Sequence, residues 1–174
     1  MKILTTAILT IIFASCTPMK LIPLKGNYVN TPYQFVSDKP KDKVWDNIID
    51  FFAQKGLSIK LIDRSSGLIV SEKTGLTFTH EDKTGQLVNK GAWAVIPKIW
   101  SPGQNKYISL YTTIMGDWNI RIKELETGKT SINVNLVNIT GLTSSYSLNT
   151  GPNTIIDAGK STGVFEEMIA VSVK

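Results

Sequence analysis

The chain has 174 residues, with 19 Lys and Arg against 14 Asp and Glu, and its formal net charge at pH 7 is +5. This length predicts a single domain. The basic residues are scattered along the chain, whereas nucleic-acid-binding proteins concentrate them on one face, so we do not expect a nucleic acid partner. Cys16 is the single cysteine, which excludes a disulfide within the chain.

The first sixteen residues carry the features of an export leader. Lys2 supplies a positive charge, and residues 3–13 form an apolar run that is too short to span a bilayer. The segment Phe13-Ala14-Ser15-Cys16 resembles the lipobox of bacterial lipoproteins, in which the cysteine is acylated and becomes the first mature residue. The resemblance implies a signal peptide over residues 1–15 and attachment to a membrane through a lipid on Cys16.

Residues 16–30 are predicted to form a lipidated tether between the membrane and the folded body. Pro18, Pro23 and Gly26 interrupt this segment, and its aliphatic residues follow no clear period. Some bacterial lipoproteins carry an acidic cluster after the cysteine as a surface-export signal, and this chain has none there. The resemblance therefore implies a lipid-anchored location in the cell envelope, at the outer membrane and facing the periplasm.

The body, residues 31–174, is predicted to begin with a strand and an amphipathic helix. The strand covers residues 33–37. Apolar residues at helical spacing predict a helix over 39–54, and Gly56 is placed to end it. A wide apolar side on this helix must lie against a sheet. The apolar residues are Val44, Trp45, Ile48, Ile49 and Phe52.

A hairpin and an irregular insertion follow the helix. Residues 57–62 and 68–72 read as two strands, and Gly67 lies in the turn between them, where a positive φ is needed. In residues 75–103 the pattern degrades, and tryptophans and prolines indicate a loop-rich insertion in which residues 77–79 and 92–96 are candidates for short strands.

Regular alternation returns in the C-terminal half. Residues 107–115 and 118–123 predict strands, and a further strand over 131–136 follows a tight turn. Residues 138–153 are rich in Ser, Thr, Asn and Gly and are predicted to be a loop, after which Ser161 is placed to cap a last helix. The order β-α-β-β, insertion, β-β-β, α predicts an α+β domain with an antiparallel sheet and two helices packed on one face.

Two segments of the chain carry a family resemblance. A strand and a helix with Val44-Trp45 in its first half precede the hairpin Asp63-Arg64-Ser65-Ser66-Gly67-Leu68-Ile69-Val70, and this arrangement is similar to the repeated domain of BamC-like lipoproteins. The closing Gly163-Val164-Phe165-Glu166 also resembles that family. The likeness covers residues 31–73 and 117–170. It implies an antiparallel sheet that grips its helices, and a scaffolding role in outer-membrane protein assembly.

The sequence offers no recognisable set of catalytic residues. His80 is the only histidine, and with Cys16 taken by lipid it lacks the partners that a metal site or a triad would need. Asp42, Asp46 and Asp50 share a helical face with lysines, which indicates a solvated face rather than an acid–base pair. We therefore expect no enzymatic activity, no metal and no cofactor.

Four aromatic residues form the candidate binding surface: Trp93, Trp100, Tyr107 and Tyr111. The two tryptophans lie in the insertion, and loops are where binding residues collect. The two tyrosines lie on the same side of one predicted strand. Aromatic side chains also fill cores. Trp118 falls on the apolar side of its predicted strand, so we expect Trp118 in the core.

Two functions follow from these features. The leading hypothesis is a lipid-anchored periplasmic domain without enzymatic activity that binds another envelope protein, as an accessory of envelope or outer-membrane assembly. The alternative is a periplasmic lipoprotein that binds a sugar or a lipid through the aromatic insertion. An apolar pocket beside Trp93 and Trp100 would support the alternative, whereas a filled core there would exclude it. The oligomeric state stays open at this point.

Overall fold

The computed structural model describes residues 20–28, 32–143, 154–156 and 159–174. The predicted signal peptide and the lipidation site Cys16 lie outside the described residues. None of the helices described is both long and apolar enough to cross a membrane.

In chain order the elements are β1 (Lys20–Leu21), β2 (Tyr33–Ser37), α1 (Lys41–Gln54), β3 (Ile59–Asp63), β4 (Leu68–Ser71), β5 (Thr74–Leu76), β6 (Phe78–Thr79), β7 (Ala94–Val95), β8 (Ile99–Ser101), a 3-10 turn (Pro102–Gln104), β9 (Lys106–Ile108), β10 (Tyr111–Glu124), β11 (Thr130–Thr143), β12 (Thr154–Ile155), β13 (Lys160–Ser161) and α2 (Val164–Ser172).

A long antiparallel hairpin forms the spine of the main sheet. β10 and β11 pair from Glu124 and Thr130 beside the turn to Tyr111 and Thr143 at the open end. Near the turn, β4 and then β3 extend the sheet from β10, and β2 pairs with β11. Toward the open end, β5 pairs with β10 and β12 pairs with β11. Every one of these pairs is antiparallel, which confirms the predicted α+β class with an antiparallel sheet and two helices.

The main sheet has one buried and one polar face. Successive side chains of a strand point to opposite faces, and β10 buries every second residue from Ile114 to Ile122. Asn119 and Arg121, between the buried positions, face the other side and are partly or fully exposed. Trp118 is fully buried, as its phase in the sequence predicts.

Both helices contribute to the core over the buried face. α2 brings Phe165 onto Trp118 of β10, with the two rings stacked and their centroids 3.9 Å apart. Phe51 and Phe52 of α1 meet Phe165 edge to face, so a single aromatic cluster joins both helices to the sheet. α1 is followed by Gly56, whose φ is 66°, as predicted. The buried residues of α1 are Val44, Trp45, Ile48, Phe51 and Phe52.

The insertion is built from short strands in two small sheets. β6 and β7 pair in parallel, and β13 adds antiparallel to β7. β8 pairs with β1 on one side and β9 on the other. β6 and β7 lie within the candidate strands over 77–79 and 92–96. The sequence does not predict β8, because a strand of three residues is too short to show a period.

Two boundaries predicted for the C-terminal half are wrong. Residues 107–115 do not form one strand, because β9 ends at Ile108 and β10 begins at Tyr111. Residues 138–143, predicted as loop, continue β11, because pairing with β10 outweighs the low strand propensity of Asn and Gly. Residues 144–153 of the predicted loop lie outside the described residues.

Candidate functional site

Two of the four aromatic residues in the predicted surface, Trp93 and Tyr111, are partly buried and pack against the core. Trp93 precedes β7 and packs against the core, with its ring centroid 5.0 Å from that of Phe165 and 6.5 Å from that of Trp118. Tyr111 starts β10 and packs against the same cluster, and its burial raises the pKa of its hydroxyl. Both residues therefore have a packing role.

Trp100 and Tyr107 form the other, outward pair. They face each other across β8 and β9, and their rings meet edge to face with centroids 4.9 Å apart. Tyr107 is 53 % exposed, and Trp100 is partly buried. The break between β9 and β10 separates Tyr107 from Tyr111, so the predicted four-residue surface is reduced to this pair.

An open cleft of about 660 Å³ lies beside the aromatic pair, and Tyr107 is among its lining residues. Residues 20–28, which we call the strap, supply one part of its wall, and the loop of residues 80–88 supplies another. Sequence reasoning missed this cleft, since the strap reads as a tether and the loop shows no period. The apolar lining consists of Ile22, Pro23, Leu24, Val88, Pro97 and Tyr107.

Glu81 holds the strap against the body. Its carboxylate accepts hydrogen bonds from the backbone N–H groups of Lys25, at 2.8 Å, and Gly26, at 2.6 Å, and from the hydroxyl of Tyr28, at 2.7 Å. Partial burial acts to raise the pKa of Glu81, but these hydrogen bonds outweigh it and the pKa is lowered. Burial, and then the contact with Glu81, raise the pKa of Tyr28.

Backbone contacts fix the strap at a second point. Ile22 N–H donates to the carbonyl of Lys98 at 2.9 Å, and β1 pairs with β8 through Leu21 and Ile99. The described part of the predicted tether, residues 20–28, is thus packed on the body along the edge of the cleft.

The charged lining of the cleft is positive on balance. Lys25 Nζ donates to the carbonyl of Lys83 at 2.9 Å. Asp82 accepts hydrogen bonds from the N–H and hydroxyl of Thr84 and from the N–H of Gln86. Its carboxylate, like that of Glu81, is therefore hydrogen-bonded within the protein. The charged residues of the lining are Lys25, Lys83, Lys98, Glu81 and Asp82.

His80 and Asp42, the titratable groups that stand out in the sequence, make contacts within the fold itself. His80 Nδ1 lies 2.6 Å from the carbonyl oxygen of Ile96, and burial, together with the nearby charge of Lys98, lowers the pKa of His80. Asp42 forms an exposed ion pair with Arg64 at 2.9 Å. In the part of the chain that the structure describes, no group of three or more His, Cys, Asp or Glu residues is arranged to hold a metal ion.

No protein-family model and no curated protein matches this chain. Among solved structures, it matches the crystal structure of Zhui aromatase/cyclase from Streptomyces sp. R1128 with 15 % sequence identity and a TM-score of 0.25, over 89 % of this chain and 88 % of that chain. An enzyme among the matched structures contradicts the prediction that this chain has no enzymatic activity, and we withdraw that prediction. A match with this TM-score carries no argument for a particular reaction or ligand.

Proposed function

We propose that this chain is a lipid-anchored envelope protein that binds another protein at the membrane surface. The signal peptide over residues 1–15 would export it, and the lipid on Cys16 would hold it at the outer membrane, facing the periplasm. The sequence supports both points through the apolar leader and the segment Phe13-Ala14-Ser15-Cys16.

The observation that carries the binding role is the apolar free edge of the main sheet. Among the described residues, β3 pairs with β4 alone and is the end strand of the sheet. Leu61 and Ile62 are 48 % and 53 % exposed. Consecutive residues of a strand point to opposite faces, so both faces of β3 present an apolar side chain to solvent. An edge of this kind is suited to pairing with an extended segment of a partner protein.

We also propose a relation to the BamC-like lipoproteins, with a role as an accessory of outer-membrane protein assembly. The support is the order of elements in two segments: β2, α1 and the hairpin of β3 and β4, and then α2 after the long strands. The proposed edge for partner binding lies within the first of these segments.

A photo-cross-linking experiment on the anchored protein tests the binding role. A photoreactive amino acid replaces Ile62 in cells, and a matched variant carries it at Lys123, an exposed position of β10. We expect one discrete envelope protein to cross-link at Ile62 and not at Lys123, and the product to disappear in Leu61→Lys. Equal labelling at both positions, or none at Ile62, would overturn the role of the edge.

The anchor is tested separately by fractionation. Wild-type chain should sediment with membranes and carry the mass of an acylated Cys16, whereas Cys16→Ala should leave the membrane fraction. A Cys16→Ala chain that stays with the membranes would contradict a lipid anchor at this residue.

The cleft favours a second candidate function, the binding of a small ligand such as a lipid or a sugar. Its volume of about 660 Å³ is in the range of ligand sites, which combine apolar walls with a few polar groups. Native mass spectrometry of the purified lipoprotein should then detect a bound molecule that is lost in Tyr107→Ala. Spectra that show only the apoprotein, with and without added sugars and lipids, would exclude this function.

A further inference from the structure

The surface around the cleft combines outward apolar side chains with basic ones. Val88 is 69 % exposed and Tyr107 is 53 % exposed, and both line the cleft. Tyrosine and tryptophan favour the boundary between lipid and water, because their rings are apolar and their edges are polar. The pair of Trp100 and Tyr107 has this character.

The charges of the same surface complement an anionic layer. Lys25, Lys83 and Lys98 line the cleft. The two carboxylates of the lining are occupied by hydrogen bonds from the strap and from the loop of residues 80–88. Lysines keep their apolar stems on a surface while their ammonium groups reach phosphates, so this arrangement suits lipid headgroups.

The length of chain before the strap brings this surface to the membrane. Four residue steps separate Cys16 from Lys20, and they span at most about 14 Å when fully extended. Glu81 fixes the strap at Lys25 and Gly26. A lipid on Cys16 therefore leaves the cleft little freedom to move away from the bilayer.

We propose that the surface formed by Val88, Trp100, Tyr107 and the lysines of the cleft lies on the anionic headgroups of the membrane that holds the anchor. This inference rests on the lipid anchor proposed above and goes beyond it, because it assigns an orientation. The strap and the cleft face the bilayer, and the aromatic pair reaches the headgroup region. Each lysine near an anionic surface contributes about a five-fold gain in partitioning, which salt weakens.

Fluorescence quenching of the anchored protein in lipid vesicles tests the orientation. Cys16 is the single natural cysteine, so when it carries lipid, Val88→Cys gives one free thiol for an environment-sensitive dye. Val171→Cys is the matched control, because Val171 is an exposed valine on α2, outside the proposed surface. The wild-type chain should take up no dye. Vesicles contain phosphatidylcholine with or without phosphatidylglycerol, and brominated lipids act as the quencher.

We expect the dye at residue 88 to be quenched in vesicles that contain phosphatidylglycerol, and the dye at residue 171 to stay unquenched. Lys83→Glu combined with Lys98→Glu should reduce quenching at residue 88 at least about ten-fold, while the chain still floats with the vesicles. High salt should act in the same direction as this charge reversal.

Three outcomes would overturn the inference. Residues 88 and 171 could be quenched equally, or phosphatidylglycerol could have no effect on residue 88. Alternatively, soluble short-chain phosphatidylglycerol could reproduce the change at residue 88 without vesicles, which would make the cleft a pocket for single lipids. A chain that fails to float with the vesicles contradicts the anchor of the proposed function instead, so the two failures are distinguishable.

Discussion

At the scale of single residues, Glu81 determines whether the strap stays on the body. Hydrogen bonds to a charged acceptor each contribute about 1.5–3 kcal/mol, and Glu81 accepts two from strap amides. In Glu81→Gln we expect the amides of Lys25 and Gly26 to exchange at least about ten-fold faster, since 1.4 kcal/mol corresponds to a factor of ten. Hydrogen–deuterium exchange measures this, with Glu126→Gln in an exposed turn as the control.

The lowered pKa of Glu81 also sets a pH dependence for the strap. A carboxyl group whose pKa is lower in the folded state stabilises that state above its ordinary pKa, and this contribution is lost as the pH falls through the lowered value. Strap amides should therefore keep their protection at neutral pH and lose it in acid, below the usual glutamate range. Unchanged protection factors in acid would show that the strap does not depend on the ionised carboxylate.

Glu166 is the residue whose charge works against folding. It is 2 % exposed, and burial raises its pKa, although a hydrogen bond from Ser161 opposes the shift. An acid with a raised folded pKa destabilises the folded state as the pH rises above its ordinary value. Glu166→Gln should therefore raise the melting temperature at pH 7, by about 2–4 °C for each kcal/mol, and the gain should shrink in acid. A lower melting temperature at pH 7 would contradict this.

At the scale of elements, the hairpin of β3 and β4 depends on a close approach to β10. Gly67 has a φ of 74°, and a Cβ there would collide with the carbonyl oxygen of Ile122. Gly128 in the turn between β10 and β11 has a similar φ of 75° but open space around it. Gly128→Ala should lower the free energy of unfolding by about 1–2 kcal/mol, because alanine disfavours the left-handed conformation. Gly67→Ala should lower it by about 1–3 kcal/mol more, because of the collision. Chemical denaturation measures both values, and an equal loss of unfolding free energy in the two variants would exclude the collision.

The elements that the sequence predicts well are those whose pattern is local. The strand over 33–37, the helix and the turn at Gly67 follow from side-chain period and turn chemistry within a few residues. The path of β11 does not, because Asn138 is placed where the ladder with β10 is irregular. Its φ is 54°, and its amide donates to Asp117 at 2.7 Å. Asn138, a residue type that is common in loops, thus lies at an irregularity within β11.

The candidate site could be predicted only in part for a related reason. Trp100 and Tyr107 are conspicuous by residue type, but Trp93 is also an aromatic residue and packs against the core. Which of them faces outward depends on pairings between segments far apart in the chain. The cleft depends on Glu81 reaching Gly26, 55 residues away, and a single glutamate in a polar loop carries no signal of that contact.

At the scale of the whole molecule, the insertion and the main sheet share one core. Trp93 precedes β7, Trp118 lies in β10, and Phe165 of α2 contacts both. Thr162, just before α2, donates from its hydroxyl to the carbonyl of Ala92 and from its N–H to the carbonyl of Trp93 at 3.1 Å. Because these contacts join the small sheet of β6, β7 and β13 to the rest, we expect the described body to unfold in one cooperative step.

Phe165→Ala tests this cooperativity. Removing a buried phenylalanine costs about 3–5 kcal/mol, and Phe165 stacks on Trp118 at the point where the helices, the insertion and the sheet meet. Val171→Ala, at an exposed position of the same helix, should cost far less. Under conditions where exchange reports global unfolding, amides of β7 and of β10 should lose the same free energy in Phe165→Ala. If the amides of β7 lose protection while those of β10 keep it, the insertion unfolds separately, and the shared core does not make the insertion and the main sheet unfold together.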